Sequence, residues 1–356
     1  MAREQGIGLC LSGGGYRAMV YHVGAIIRLH ELGLLSRIDR ISSVSGGSIT
    51  AGVLALAWDK VGARDQLWRH FVEPVLELAS KTIDRPSIVR GVLLPGCVGE
   101  HVARRYDEIL FKGATLQDLP DAPRFVINAT NLETGTLWRF SKPYMRDYKV
   151  GEVANPTVRL ADAVAASSAF PPVLSPFILE VDAGDFTIRE PDVADGFFDG
   201  VTLTDGGVYD NYGLEPVWDR FSDVLVSDGG GILAPDPEPS AEWALQSYRV
   251  IGILQQQVHA LRSRQLVDSF QSGETKGCLW SIQTPMDRYD AEPVVAIPPG
   301  AVEALAKTPT RLKRMSGRLM RQLVNLGYVG ADVSLRSWYL DDAAPGDPPF
   351  PEVDFA

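Results

Sequence analysis

Apolar positions along the chain gather into short unbroken runs that end at glycine, and these alternate with stretches whose apolar residues recur at helical spacing. The first run, residues 7–11, stops at Ser12 and three glycines, after which Met19, Val23, Ile26, Ile27 and Leu32 mark a helix. Beyond Gly33 the unit is repeated. Residues 38–44 read as a strand, Ser45-Gly46-Gly47 as a turn, and residues 49–58 as a helix of small side chains. Residues 125–129 and 224–227 are further strands, 201–204 is an apolar and β-branched run, and helical spacing returns at 160–166, 241–270 and 301–324. Runs apolar on both faces and separated by helices predict an α/β fold with a mostly parallel sheet.

Three segments break this alternation, at 81–99, 182–200 and 234–240, and are rich in glycine, proline or acid. The first two are long enough to carry function as inserted loops. None requires a second folding unit, so the expectation is one catalytic domain over 1–340, followed by a Pro- and Asp-rich tail, 341–356, suited to a solvated end.

Composition then removes classes of function. Among 356 residues no apolar stretch approaches the ~20 needed to span a bilayer, so an integral membrane protein is excluded. The net charge of −11 repels phosphate backbones and makes nucleic acid a poor partner. Cys10, Cys97 and Cys278 are odd in number and scattered, with no spacing that would hold a metal or form a disulfide framework. No cofactor and no metal are expected. The N-terminal apolar run is too short for a secretory signal, so a cytoplasmic protein is expected.

Candidate chemistry lies at the strand ends. Ser43-Val44-Ser45-Gly46-Gly47 sits where a strand meets a helix, the setting in which a G-x-S-x-G elbow exposes a serine hydroxyl. Ser45 has a glycine two places on, which Ser42, Ser43 and Ser48 lack, and is the candidate nucleophile; Ser43 replaces the first glycine of the pattern. A Ser/Gly loop that merely caps the next helix would read the same way.

Gly13-Gly14-Gly15-Tyr16-Arg17-Ala18 fits two functions. Its amides at a helix N-terminus can hold an oxyanion, or the loop can serve as the G-x-G-x-x-A turn of a nucleotide-binding oxidoreductase. The second requires an acid at the end of the following strand, whereas Asp39 begins that strand and Ser45 ends it. The base is open too. Of His22, His30, His70, His101 and His259 only the last follows the other parts, so one alternative is a Ser–His–Asp esterase or peptidase using His259. Asp205-Gly206-Gly207 and Asp228-Gly229-Gly230 are the carboxylate candidates, each directly after a strand, and spacing does not choose between them.

The order of a G-G-G-x-R-[GA] loop, an S-x-S-x-G elbow about 30 residues on and a later D-G-G resembles the patatin-like phospholipases, serine lipid acyl hydrolases with a Ser–Asp dyad. Residues 128–135, 165–171 and 205–211 carry further resemblance. It implies a three-layer α/β/α fold and places the catalytic aspartate on Asp205, leaving Asp228 as a strand-end acid. It also implies an acyl-serine on Ser45, with Gly13, Gly14, Gly15 and Gly46 around the oxyanion. Arg17 would fix the loop through carbonyls or meet a substrate phosphate. The expected substrate is a lipid, met at a membrane surface or in micelles, with the enzyme peripheral to the inner face of a membrane; a homo-oligomer is compatible with the sequence. Arg311, Arg314, Arg318 and Arg321 fall on one face of the expected helix 301–324, opposite Leu312, Met315, Leu319 and Leu323, as an ordinary surface helix or a membrane-facing one would have them. The acidic segment 182–200 lacks calcium-loop spacing and is expected to be a solvated hairpin or cap near the site.

Overall fold

The computed structural model describes residues 3–84 and 98–355. Its sheet runs β11-β10-β1-β2-β3-β4-β5-β6-β8, with β9 paired to β3 and β7 to β9. The strands are β1 Glu4–Leu11, β2 Ile38–Val44, β3 Arg124–Asn131, β4 Thr136–Phe140, β5 Tyr144–Asp147, β6 Gly151–Ala154, β7 Phe177–Leu179, β8 Ile188–Arg189, β9 Val201–Asp205, β10 Phe221–Asp228 and β11 Lys276–Ser281. Pairing from β11 through β10, β1 and β2 to β3 is parallel, and every later pairing is antiparallel.

The principal helices are α1 Gly15–Glu31, α2 Gly46–Ala57, α3 Glu73–Ala79, α4 Val98–Tyr106, α5 Leu160–Ser167, α6 Trp243–Gln271, α7 Ala301–Ala306 and α8 Gly317–Trp338. The uninterrupted apolar runs follow from layering. Leu9, Leu11 and Leu225 pack on the face that carries α1, α2 and α8, while Cys10, Val224 and Val226 pack on the opposite face against Leu266 and Phe270 of α6. A strand covered on both sides has no position to leave polar. Helices α1 and α8 cross closely: a Cβ at Gly24 would lie 1.9 Å from the Val324 carbonyl oxygen, and one at Gly327 equally near that of Tyr21.

Several expectations need correction. The helix expected over 301–324 is two helices, because residues 307–316 leave helical geometry to reach the glycine loop. Arg311 there pairs with Asp84 (2.7 Å) and accepts the Tyr16 amide at its carbonyl (3.1 Å). The four arginines therefore share no face: Arg318 and Arg321, on α8, pair with Asp354 (2.5 Å) and Glu352 (3.3 Å). Those acids belong to the tail, which is not a free solvated end; Phe355 is buried, and Asn325 bonds both the carbonyl and the amide of Phe350. Segment 182–200 is no cap over the site. Within it β8 extends the antiparallel edge at β6, and Phe186 stacks edge-on with Phe198 at 5.0 Å. Of the loop expected at 81–99, residues 85–97 lie outside the described residues, as does Cys97.

Candidate active site

Parallel pairing aligns the carboxyl ends of β1, β2 and β10, where ligands of open α/β sheets bind. Leu11 is opposite both Ser43 and Ser227, so the glycine loop, the elbow and Asp228 emerge at one edge. The register also explains how residues 45 and 205 meet. On β3, Asn128 pairs with Val44, the last residue of β2, and the next residue, Ala129, pairs with Asp205, the last of β9. Since β4 holds the other edge of β3, β2 and β9 share one edge in succession and end against each other.

Ser45 adopts φ 52°, ψ −119°, a conformation costing a non-glycine residue roughly 1–3 kcal/mol. It is held from behind: its amide donates to Ser167 Oγ (2.9 Å), whose hydroxyl donates to the Asn128 carbonyl (2.6 Å). The Asn128 amide in turn bonds Ser42 Oγ and the Ser43 carbonyl, both at 2.9 Å. At Gly46 a Cβ would meet the Gly15 carbonyl at 2.1 Å, so elbow and glycine loop touch backbone to backbone and any side chain there would drive them apart. Ser167, Asn128 and Asn211 were legible only as members of familial stretches; no local signal marked their roles.

Asp205 is buried. Its Oδ1 accepts the Gly207 amide (2.7 Å), and its carbonyl accepts Thr130 Oγ1 (2.9 Å). Burial raises its pKa to about 6, against the lowering pull of the Ser45 hydroxyl and the Gly207 amide. The hydroxyl is thus near enough to influence the carboxylate, while Oδ2 makes no hydrogen bond of ordinary length. A buried acceptor without a donor, adjoining a serine hydroxyl, is poised to take a proton.

In the glycine loop the Gly13 amide is committed to the Asn211 carbonyl (3.0 Å), and the Tyr16 amide to Arg311. Gly14 caps α1 and Gly15 begins it, and both line the cavities at Ser45. Arg17 borders the larger cavity, but its guanidinium is spent on protein partners. Its Nε donates to the Gly229 carbonyl (3.0 Å), Nη2 to Thr310 Oγ1 (3.1 Å), and Nη1 to the Thr308 carbonyl. Burial lowers the pKa of this guanidinium to about 10, with Asp228 opposing the shift. The contacts make Arg17 a clamp between the loop, β10 and residues 308–310.

The remaining acid and histidine form a unit of their own. His259 Nε2 lies 3.1 Å from Asp228 Oδ2, its ring stacks on Tyr212 at 4.4 Å, and Nδ1 faces the Tyr212 hydroxyl at 3.5 Å. Although it lines the cavity that holds Ser45, both of its nitrogens are directed at other partners. Burial opposes ionisation of Asp228, but His259, the Ser281 hydroxyl and the Gly230 amide outweigh it and bring the pKa to about 2. Burial likewise opposes protonation of His259, yet Asp228 and Asp210 raise its pKa overall. His22 is a core residue, bonded to Ser227 Oγ and the Ser12 carbonyl, and burial lowers its pKa to about 4.

A specific stability consequence follows. The depressed Asp228 pKa contributes stability above pH ~4 that is lost as the pH falls toward 2, and the raised His259 pKa contributes stability lost as the pH rises past it. Asp228→Asn is therefore expected to lower Tm most near pH 6. The loss should be on the order of 2 kcal/mol, below the ~3–5 kcal/mol of a broken buried pair because the imidazole can shed its proton. Thermal melts at pH 6 and pH 9 check this; equal losses at both would show that the pair is not ionic.

A nucleotide site fits poorly here. Asp39 lies at the amino end of β2, where its carboxylate accepts the Ile7 amide (2.8 Å), remote from the loop at the opposite end. Ser45 instead stands at the junction of two cavities, of about 490 and 300 Å³. The larger carries Arg249, His259, Lys307 and Arg311; the smaller is lined by Phe170, Pro171, Val173, Leu174, Tyr248 and Leu312.

Residues 9–218 match the family model "Patatin-like phospholipase". No curated protein matches the chain in sequence. Among solved structures it is similar to human GIVD cytosolic phospholipase A2 in complex with methyl γ-linolenyl fluorophosphonate, with TM-score 0.51 and 16% identity over 92% of this chain and 57% of that one. VipD from Legionella pneumophila also matches, with TM-score 0.34 and 15% identity over 91% and 67% of the two chains. The chain thus spans well under two thirds of the human enzyme's length.

Proposed function

The chain belongs to the patatin-like phospholipase family, and from that premise we propose that it is a lipid acyl hydrolase of the phospholipase A or lysophospholipase type, using Ser45 and Asp205 as its whole catalytic pair. The observation that carries the reading is the junction on β3, which brings a strained serine and a buried carboxylate with an unoccupied Oδ2 end to end.

Ser45 Oγ attacks the ester carbonyl carbon while Asp205 takes its proton, and the amides of Gly14, Gly15 and Gly46 hold the oxyanion. Gly13 shapes the loop and donates elsewhere. Collapse breaks the ester C–O bond, the departing alcohol recovers the proton from Asp205, and acyl-Ser45 remains. Water then repeats the sequence, Asp205 accepting its proton, and fatty acid is released. The Phe170, Pro171, Val173, Leu174 and Leu312 side of the smaller cavity suits the acyl chain, and the larger one, with its bases, the polar remainder of the lipid. Residues 1–340 act in this reading as one catalytic unit, and its setting is the cytoplasm.

The direct test is fatty acid release from phospholipid and lysophospholipid substrates by wild type and not by Ser45→Ala; equal release by both overturns it. Two further results are expected. Asp205 must be ionised to accept a proton, so kcat/KM should fall as the pH drops through about 6. A rate that stays flat down to pH 4 would exclude Asp205 as the base. His259→Ala should retain turnover within a few-fold, since its ring is engaged by Asp228 and Tyr212; a loss of ~10³-fold or more would establish a Ser–His–Asp triad instead.

A further inference from the structure

Among the described residues, helix α6 carries most of the exposed large apolar side chains. Of the 17 large apolar side chains that are exposed among the described residues, ten lie on it, from Trp243 (77% exposed) through Leu254 (60%) to Val267. Its carboxyl half is anchored to the body, with Leu266 buried and Phe270 half-buried against the sheet. Its amino half differs. Residues 243–248 are all exposed, so the first turns project from the body with apolar groups on every side. At 100° per residue Trp243, Val250, Leu254 and Leu261 point outward, Ile251 and Ile253 lie on the flanks, and Leu245, Tyr248 and Gly252 fall on the side toward the protein.

The inward side of this same segment forms a wall of the candidate active site. Tyr248, Ile251 and Gly252 line the larger cavity, and Tyr248 also lines the smaller one, next to Val173, which is itself exposed. The apolar surface is therefore continuous from the outer face of α6 to the two cavities that meet at Ser45.

Resting on the acyl-hydrolase reading, we propose that the amino half of α6, residues 243–254, is an interfacial docking element that seats the cavity mouth on a zwitterionic lipid surface. A second helix would cover one narrow seam, whereas the exposed apolar face from Ile253 through Val250, Trp243 and Leu254 to Ile251 is far broader, a width that a lipid surface covers whole. No helix of the described residues is long and apolar enough to cross a membrane, and twelve residues of helix cover only ~18 Å, the scale of a segment lying in the interface plane. Charge selects the lipid. Asp236, Glu238 and Glu242 approach and cap the helix, and Arg249, the one base between 236 and 254, pairs with Asp236 at 3.9 Å. The bases of the larger cavity are matched in the same way, Lys307 by Glu303 (2.6 Å) and Arg311 by Asp84 (2.7 Å), and that balance disfavours an anionic surface and is neutral toward phosphatidylcholine.

The test separates docking from catalysis. With the full chain carrying Ser45→Ala, flotation with phosphatidylcholine vesicles is expected, and adding Val250→Glu and Leu254→Glu should reduce the bound fraction at least ~10-fold. The same pair in the wild-type chain should leave turnover of a soluble short-chain ester within about two-fold, confirming the fold, while vesicle hydrolysis collapses. Flotation unchanged by the two charges, no flotation at all, or tighter binding when phosphatidylserine is mixed in overturns the proposal. So does a dimer that the charges split into monomers, which would make this face a contact between copies. If wild type turns over no ester but still floats, the hydrolase reading fails and the docking surface stands.

Discussion

Ser45→Ala is expected to abolish ester turnover, with kcat falling by at least ~10⁴-fold, because the attacking atom is removed and only the oxyanion donors and substrate binding remain. A fluorophosphonate probe should label the wild-type chain at Ser45 alone and leave Ser45→Ala unlabelled. Labelling at another serine, or an active Ser45→Ala, would move the nucleophile. A companion variant uses the elbow's geometry. Ser45 occupies φ 52°, which glycine adopts without a Cβ penalty, so Ser45→Gly should be as inactive as Ser45→Ala yet raise stability by about 1 kcal/mol. The gain would measure the strain that β2 and α2 impose on the residue; a melt unchanged from that of Ser45→Ala would show the elbow to be relaxed.

Asp205→Asn should lower turnover by at least ~10²-fold, the scale of a lost general base, with an unchanged far-UV CD spectrum. Its effect on stability has a definite sign. The folded-state pKa of about 6 lies above the ordinary carboxylate value, so the native state holds its proton more tightly than the unfolded chain between pH ~4 and 6. Stability tied to this proton is present at low pH and lost as the pH rises through that window. Asparagine cannot ionise, and above pH 6 the variant escapes a cost on the order of 2 kcal/mol. The inactive variant should therefore melt at or above wild type at pH 8 and lose that advantage by pH 4. An active Asp205→Asn beside a dead but folded Asp228→Asn would transfer the role to the other D-G-G. Asp228 differs because His259 already compensates its charge and helps bring its pKa to about 2, which makes it the weaker proton acceptor of the two.

Much of this was readable from residue order. The two strand–glycine–helix units, the serine that ends β2 and the resemblance over 128–135, 165–171 and 205–211 are local, since apolar runs and glycine turns are imposed by neighbouring positions. The helix over 301–324 misled because its apolar spacing is genuine, yet residues 307–316 gain more by meeting the glycine loop, Arg17 and Asp84 than by continuing the helix. The tail's acids stay exposed as read, yet they also pair with Arg318 and Arg321 of α8, contacts that no local pattern marks.

By itself, then, the sequence determined the α/β class, the elbow and its serine, the glycine loop and two candidate acids, because period, turn chemistry and strand ends are properties of contiguous residues. It left Asp205 and Asp228 equivalent in local motif, with only resemblance to separate them. Tertiary structure distinguished their surroundings, because β2 and β9 share one edge of β3 and bring residues 45 and 205, far apart in the chain, together, while β10 carries Asp228 to His259 on α6. Which side chains of α6 stay exposed was likewise a tertiary decision, since its apolar pattern is the same whether buried or bare and packing on the sheet reaches only Leu266 and Phe270 near its carboxyl end.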